Sequence, residues 1–263
     1  MNFSIVSENE RVTRSDPRRG ALSDEERYLF DVNGYLVRRG VLGPSDIERI
    51  HREIDALGLS DPGPDINSQR FNGLLDAGGL LRDLVDHDAV IDIVRELCGE
   101  MVRLDHAYGI TMSPNTSGLG LHGGGAPFDA AQYYAVDGDG IHTGLVAAQW
   151  AVSPHPIGHG GFCCIPGSHK AHFNRPTSIG LEHAIVVHVA LEPGDLVVFT
   201  EALTHGTIRW SAPFNRRSLL YKYSPGSSSW DRRPACSPET LPLLTDRQRR
   251  LCQPPSVAWH EPV

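Results

Sequence analysis

Three side chains in this sequence are of the types that hold a transition metal and a small anion beside it: His122, His205 and Arg216. His122 stands in the run Gly120-Leu121-His122-Gly123-Gly124-Gly125. His205 stands in Leu203-Thr204-His205-Gly206, just beyond Gly194-Asp195-Leu196-Val197-Val198-Phe199. Asn215-Arg216-Arg217-Ser218 opens the next apolar run, with Arg216 eleven residues after His205. Neutral imidazole is a good ligand for iron and its neighbours, and the planar fork of arginine pairs a carboxylate through two parallel charge-assisted bonds. The chain has 13 histidines, so spacing alone leaves this pair open between metal ligands and ordinary polar residues. Arg216 and Arg217 compete for the anion, because successive strand residues face opposite sides of a sheet and only one can point inward. The other reading of Arg216 is a surface strand arginine.

The elements that position these groups are legible in outline. Ser23-Asp24-Glu25-Glu26 has a capping-box pattern and predicts a short helix ending near Asn33-Gly34, followed by a strand over Tyr35-Leu36-Val37. Pro44-Ser45-Asp46 opens a second helix, with Ile47, Ile50, Ile54 and Leu57 on one face. Ser60 to Asn67 reads as a loop, and Leu80 to Leu97 as further helix ended by Cys98-Gly99. From about residue 101 the texture changes to short apolar or alternating runs between Gly/Pro turns. These are Met101 to Leu104, Leu145 to Trp150, Ala184 to Val189, Asp195 to Phe199 and Ser218 to Tyr223. That pattern predicts a β-barrel or double sheet. The tail after Pro225 reads as a wrap over the barrel with one short helix around Leu244 to Leu251.

Composition narrows the function classes. A chain of 263 residues, 40% hydrophobic, can bury a substantial core and is read as a single domain: a helical part over about 20–100, a β core over about 101–225 and a tail over 226–263. A net charge of −8 with no long Lys/Arg block argues against a nucleic-acid polymer as partner. No apolar run approaches the roughly 18 residues of a membrane span, and Met1 to Arg19 lacks the apolar stretch of a signal peptide, so a cytoplasmic protein is expected. Five cysteines without paired C-x-x-C spacing read as reduced thiols. Oligomeric state is not encoded in any of these features.

The ensemble resembles the phytanoyl-CoA dioxygenase family of Fe(II)/2-oxoglutarate oxygenases. The resemblance runs through Asn33-Gly34-Tyr35-Leu36-Val37, Leu121-His122, Trp150, Gly160-Gly161-Phe162, Ile165-Pro166-Gly167-Ser168-His169-Lys170, Pro193-Gly194-Asp195, His205 and Arg216. It implies an all-β core with flanking helices, a cupin-like double-stranded β-helix or jelly roll with the N-terminal helices packed on one sheet. It further implies that His122 and His205 bind iron, that Arg216 grips the distal carboxylate of 2-oxoglutarate, that Trp150 lies near this cosubstrate, and that O2 is the oxidant. The family spacing prefers Arg216 to Arg217.

One position departs from the pattern. Most of the family has His-x-Asp, whereas this chain has His122-Gly123-Gly124. In the related Fe(II)/2-oxoglutarate halogenases the same position is Gly or Ala, and a halide takes the vacated place. Gly124 therefore implies radical chlorination of an unactivated C–H bond, with chloride restoring the charge lost with the carboxylate. The outcome then depends on where the substrate carbon is held. A second reading is hydroxylation, with Asp129 or a water replacing the ligand, although Asp129 after Ala126-Pro127-Phe128 also suits a turn. A third is a non-catalytic binding protein on the same fold.

The remaining polar residues take plainer roles. His169-Lys170 is read as fixing a turn at the barrel mouth, with Lys170, His172 and Arg175 also available to an anionic substrate group. Trp230 to Arg233 is read as part of a substrate lid or as a salt-bridged wrap. The expected substrate is a freestanding small polar metabolite, a nucleotide or nucleoside being one option, met by a pocket that includes Gln69 to Asn72.

Overall fold

The computed structural model describes residues 22–59, 69–124, 126–138, 140–257 and 262–263. The loop expected over Ser60 to Asn67 and the segment before Leu22 lie outside the described residues. Helix α1 (Asp24–Asn33) begins with the anticipated capping box: Glu26 N donates to Ser23 Oγ and Ser23 N donates to Glu26 Oε2. It stops at Gly34, whose φ of 80° is left-handed. A Cβ there would also lie 2.6 Å from His169 Nδ1, so glycine is required twice over. Strand β1 (Tyr35–Arg38) leads to α2 (Pro44–Ala56), which buries Ile47, Ile50 and Ile54 as its periodicity predicts.

The long helix expected over Leu80 to Leu97 is broken. Following β2 (Gln69–Asn72) and α3 (Leu74–Ala77), α4 (Gly79–Asp83) passes into a 3-10 turn at Leu84–Asp86, and α5 (Asp88–Cys98) restarts with His87 as its cap. His87 Nδ1 accepts from Ala89 N at 3.2 Å, offering the backbone a local partner in place of a continuing helix.

Strands β3 (Arg103–Met112), β4 (Leu119–His122), β5 (Tyr134–Asp137), β6 (Gly140–Thr143), β7 (Val146–Ala151), β8 (Gly161–Cys164), β9 (Val187–His188), β10 (Leu196–Thr200), β11 (His205–Ile208) and β12 (Arg216–Ser224) follow. They form an antiparallel six-stranded sheet in the order β1-β10-β7-β12-β3-β2, an antiparallel four-stranded sheet in the order β4-β11-β8-β9, and the β5-β6 hairpin. The strand expected over Ala184 to Val189 shrinks to Val187–His188, because Val186 N closes a turn onto His183 O instead of joining a ladder.

The two larger sheets face each other through a core that includes Phe162 of β8 and Phe199 of β10, whose rings lie 4.7 Å apart. The outer face of the six-stranded sheet is covered by helices, where Trp150, Leu219 and Tyr221 share a core with Phe30, Ile50 and Val94. Tyr221 and Tyr223 each donate a hydroxyl to the helical layer, to Leu81 O and Val85 O. The tail includes α6 (Asp246–Leu251), capped by Thr245. It is pinned by buried Asp105, which accepts from Trp230 N at 2.7 Å and Asp231 N at 3.0 Å while lying 2.6 Å from His106 Nδ1. Trp230 to Arg233 is thus a wrap over the sheet, with Arg233 paired to Asp231.

Candidate metal and cosubstrate site

His122 closes β4 and His205 opens β11, and the register of these antiparallel strands sets the two residues directly opposite each other. Their ring centroids are 4.3 Å apart. Each ring is tethered through Nδ1: His122 to Gly120 O at 2.9 Å and His205 to Leu203 O at 2.7 Å. With Nδ1–H donating to a carbonyl, Nε2 is left with its lone pair, the tautomer that a metal ligand needs. His205 is buried and His122 exposed, so the pair spans from the core to the surface. Burial pushes the imidazole of His205 down to about 4, with Glu201 opposing and His122 reinforcing the shift.

A carboxylate stands beside them. Glu201, in the turn between β10 and β11, is buried, with Oε2 3.9 Å from His205 Nε2. Its Oε1 lies 2.7 Å from Nζ of Lys222 on β12, an ion pair that is not aimed as a hydrogen bond. Burial opposes ionisation of Glu201, but Lys222 and then His205 and His122 bring its carboxyl down to about 2. Among the described residues no cluster of three His, Cys, Asp or Glu side chains is drawn together tightly enough to form a ready-made metal cage.

Arg216 resolves the competition on β12. It shares a face with Ser218 and points between the sheets, 1% exposed, with Nη1 3.2 Å from Met112 Sδ. Arg217 turns the other way, to Asp55 at 2.5 Å and His51 Nδ1 at 3.1 Å on α2. Burial pulls Arg216 down to about 10, no carboxylate among the described residues pairs with it, and its Nε is without a partner. Near it lie two other buried nitrogens with unmet hydrogen-bonding capacity, His155 Nδ1 and His188 Nε2. A buried cation among unpaired polar atoms is costly unless an anion completes it, and the distal carboxylate of 2-oxoglutarate has the charge and the planar shape to do so.

Gly123 and Gly124 border a cleft of about 450 Å³ that also exposes Ile165, Phe173, Arg175 and Thr204. The cleft therefore opens directly beside the end of β4 that carries His122.

Residues 30–218 match the family model of phytanoyl-CoA dioxygenase (PhyH). The chain belongs to this family. No curated protein sequence matches it. Among solved structures, HygX from Streptomyces hygroscopicus with nickel and 2-oxoglutarate bound is 26% identical, with 83% of this chain and 94% of that one covered at a TM-score of 0.74. The same protein with nickel, 2-oxoglutarate and hygromycin B bound is 27% identical over the same shares, at a TM-score of 0.73. The non-heme alpha ketoglutarate dependent carbocyclase SnoK from nogalamycin biosynthesis, 18% identical, covers 85% of this chain and 91% of its own at a TM-score of 0.61, a likeness of fold. The family and these relatives make the chain a member of a Fe/2-oxoglutarate-dependent oxygenase family.

Within this PhyH-family chain the anticipated site residues separate. His122, His205 and Gly124 come together, and Arg216 points into the space between the sheets. Trp150 does not join them. It faces the helices, with its ring 5.2 Å from His87, because alternation along β7 sends Gln149 to the inner face and Trp150 to the outer one. The expectation that Trp150 lies near the cosubstrate is corrected accordingly. Asp129 accepts from Ala131 N at 2.8 Å, the turn role that its sequence context suggested. Lys170 pairs with Asp31 at 2.7 Å, and His169 Nε2 lies 3.0 Å from Asp31 O, so both fix the turn against α1. Of Gln69 to Asn72, Arg70 lies over the ring of Tyr108 at 3.6 Å. Glu201 and Lys222 were not anticipated. Their signal was one isolated charge in each of two otherwise apolar runs, which in a buried sheet must find each other.

Proposed function

We propose that this chain is an Fe(II)/2-oxoglutarate-dependent enzyme that oxidises an unactivated C–H bond of a freestanding small polar metabolite, working as one oxygenase-type domain whose two facing sheets are the halves of a jelly roll. The observation that carries the reading is Arg216, a buried guanidinium with no anionic partner among the described residues, in the same fold as two facing imidazoles whose Nδ1 tethers leave Nε2 its lone pair. His122 and His205 would hold the iron, and Arg216 would hold the 2-oxoglutarate carboxylate. The chemistry such a centre supplies is O2 activation coupled to decarboxylation of 2-oxoglutarate to succinate and carbon dioxide. The protein contributes position: the Nδ1 tethers fix both rings, Arg216 sets the direction of the cosubstrate, and the cleft beside Gly124 presents the substrate carbon.

The first reading of the outcome is oxygenation. The second is chlorination, favoured by Gly124, which offers no atom beyond Cα where the family carries aspartate. The HygX complex with hygromycin B supports polar, sugar-like molecules as the substrate class to try first, with nucleosides beside them. The test is anaerobic loading with Fe(II), 2-oxoglutarate and chloride, admission of oxygen, and mass spectrometry of a metabolite panel. Succinate release with a gain of one oxygen is expected, and both are lost in His205→Ala. A chlorine isotope doublet selects the second reading. Undiminished succinate in His205→Ala removes the iron assignment.

A further inference from the structure

We infer that Glu201 supplies the carboxylate ligand that position 124 lacks, so that the metal is held by His122, His205 and Glu201. The inference rests on the iron reading above and deepens it. Donor atoms bound to one metal at about 2.1 Å lie roughly 3 Å apart when adjacent and about 4 Å apart when opposite. Glu201 Oε2, 3.9 Å from His205 Nε2, already lies within that span of the nitrogen whose lone pair is free. Lys222 occupies the other oxygen. A buried carboxylate is stable when each oxygen has a cationic or hydrogen-bonding neighbour, and a metal at the histidines completes Oε2 as Lys222 completes Oε1.

The backbone explains why the ligand comes from this turn. A Cβ on Gly123 would lie 2.7 Å from Glu201 O and 2.8 Å from Leu203 O, so only glycine lets the end of β4 sit against the turn that carries Glu201. Gly124 has a φ of 110°, and a Cβ there would meet Thr204 Oγ1 at 3.0 Å. The local geometry that excludes a side-chain ligand at 124 is therefore the geometry that brings Glu201 alongside. With that carboxylate in the shell, a halide meets a fixed negative charge and a filled position, which turns the reaction toward oxygen transfer.

The test uses the metal-free full chain titrated anaerobically with Co(II), followed by its visible absorption, and the Fe(II)–2-oxoglutarate charge-transfer band recorded with and without chloride. In the wild type, binding is expected with a band that chloride leaves unmoved. In Glu201→Gln, Co(II) affinity is expected to fall by about 100-fold or more, the upper end of what loss of a group supporting a ligand costs, with a changed absorption envelope and a band that chloride now shifts. Because Glu201→Gln strands the Lys222 ammonium, the double variant Glu201→Gln/Lys222→Met keeps the pair uncharged and is expected to give the same spectra from a folded protein. Undiminished Co(II) affinity with an unchanged envelope in both variants overturns the assignment of Glu201 while leaving the iron reading standing. A wild type that binds no Co(II) overturns the iron reading itself, and this inference with it.

Discussion

Replacing Arg216 by methionine separates the cost of a buried charge from the use made of it. The guanidinium stays protonated at any working pH, so the folded state bears the penalty that pulls it down to about 10. At about 1.4 kcal/mol per pH unit, that penalty is roughly 3 kcal/mol. Methionine fills much of the same volume without a charge, and exchanging an uncompensated buried ion for an apolar side chain is stabilising. Arg216→Met is therefore expected to raise the melting temperature of the cosubstrate-free protein by roughly 5–10 °C. The same change removes two charge-assisted hydrogen bonds to 2-oxoglutarate and should weaken its binding by roughly a hundredfold or more. Thermal melts of both proteins, with Ni(II) present and 2-oxoglutarate titrated in, read both effects together. The wild type should gain stability from 2-oxoglutarate and the variant should not. A variant that melts lower than the wild type and still responds fully to 2-oxoglutarate would refute the reasoning, and Arg217 would then be tested in its place.

Trp150→Phe is expected to lower stability by roughly 2 kcal/mol through lost packing against the helices while leaving 2-oxoglutarate affinity unchanged; a selective loss of affinity in calorimetry would return the indole to the cosubstrate. Gly124→Asp should destabilise the fold by about 1–3 kcal/mol, because φ of 110° suits no L side chain and Thr204 stands in the way; an unchanged melting temperature would show that the strand end adapts freely. Burial, with Lys170 adding, holds the His169 imidazole at about 4. Its unfolded form takes up a proton near pH 6.5, so its contribution is complete above that value and is lost as pH falls toward 4, by up to about 3 kcal/mol. Urea unfolding of the metal-free protein across that range should show a steeper loss in the wild type than in His169→Gln, and parallel slopes would assign the effect to other groups.

What the sequence disclosed was whatever depends on short-range pattern. The capping box at Ser23 and the isoleucine face of α2 are local signals, and both helices formed as they predict. His122, His205 and Arg216 were singled out through family spacing, and period-two alternation separates Arg216 from Arg217 once the inner face of β12 is known. The same alternation places Trp150 outside, which required knowing that β7 is central, with β10 and β12 on either side. The break at His87 was hidden because the apolar periodicity of Leu80 to Leu97 runs through it, and the capping hydrogen bond depends on a side-chain rotamer. Glu201 and Lys222 are 21 residues apart in sequence, and only the folding back of β12 across the sheet brings them to one place.

The attachment of the C-terminal wrap constrains how this protein can be trimmed. Asp105, fully enclosed in β3, depends on the amides of Trp230 and Asp231 for two of its acceptor bonds. Cutting the chain ahead of Trp230 would abandon an enclosed anion with half its solvation removed. The segment that looks like dispensable trailing sequence is thus part of what lets β3 bury its charge, and shortened versions made for crystallisation or fusion should retain it.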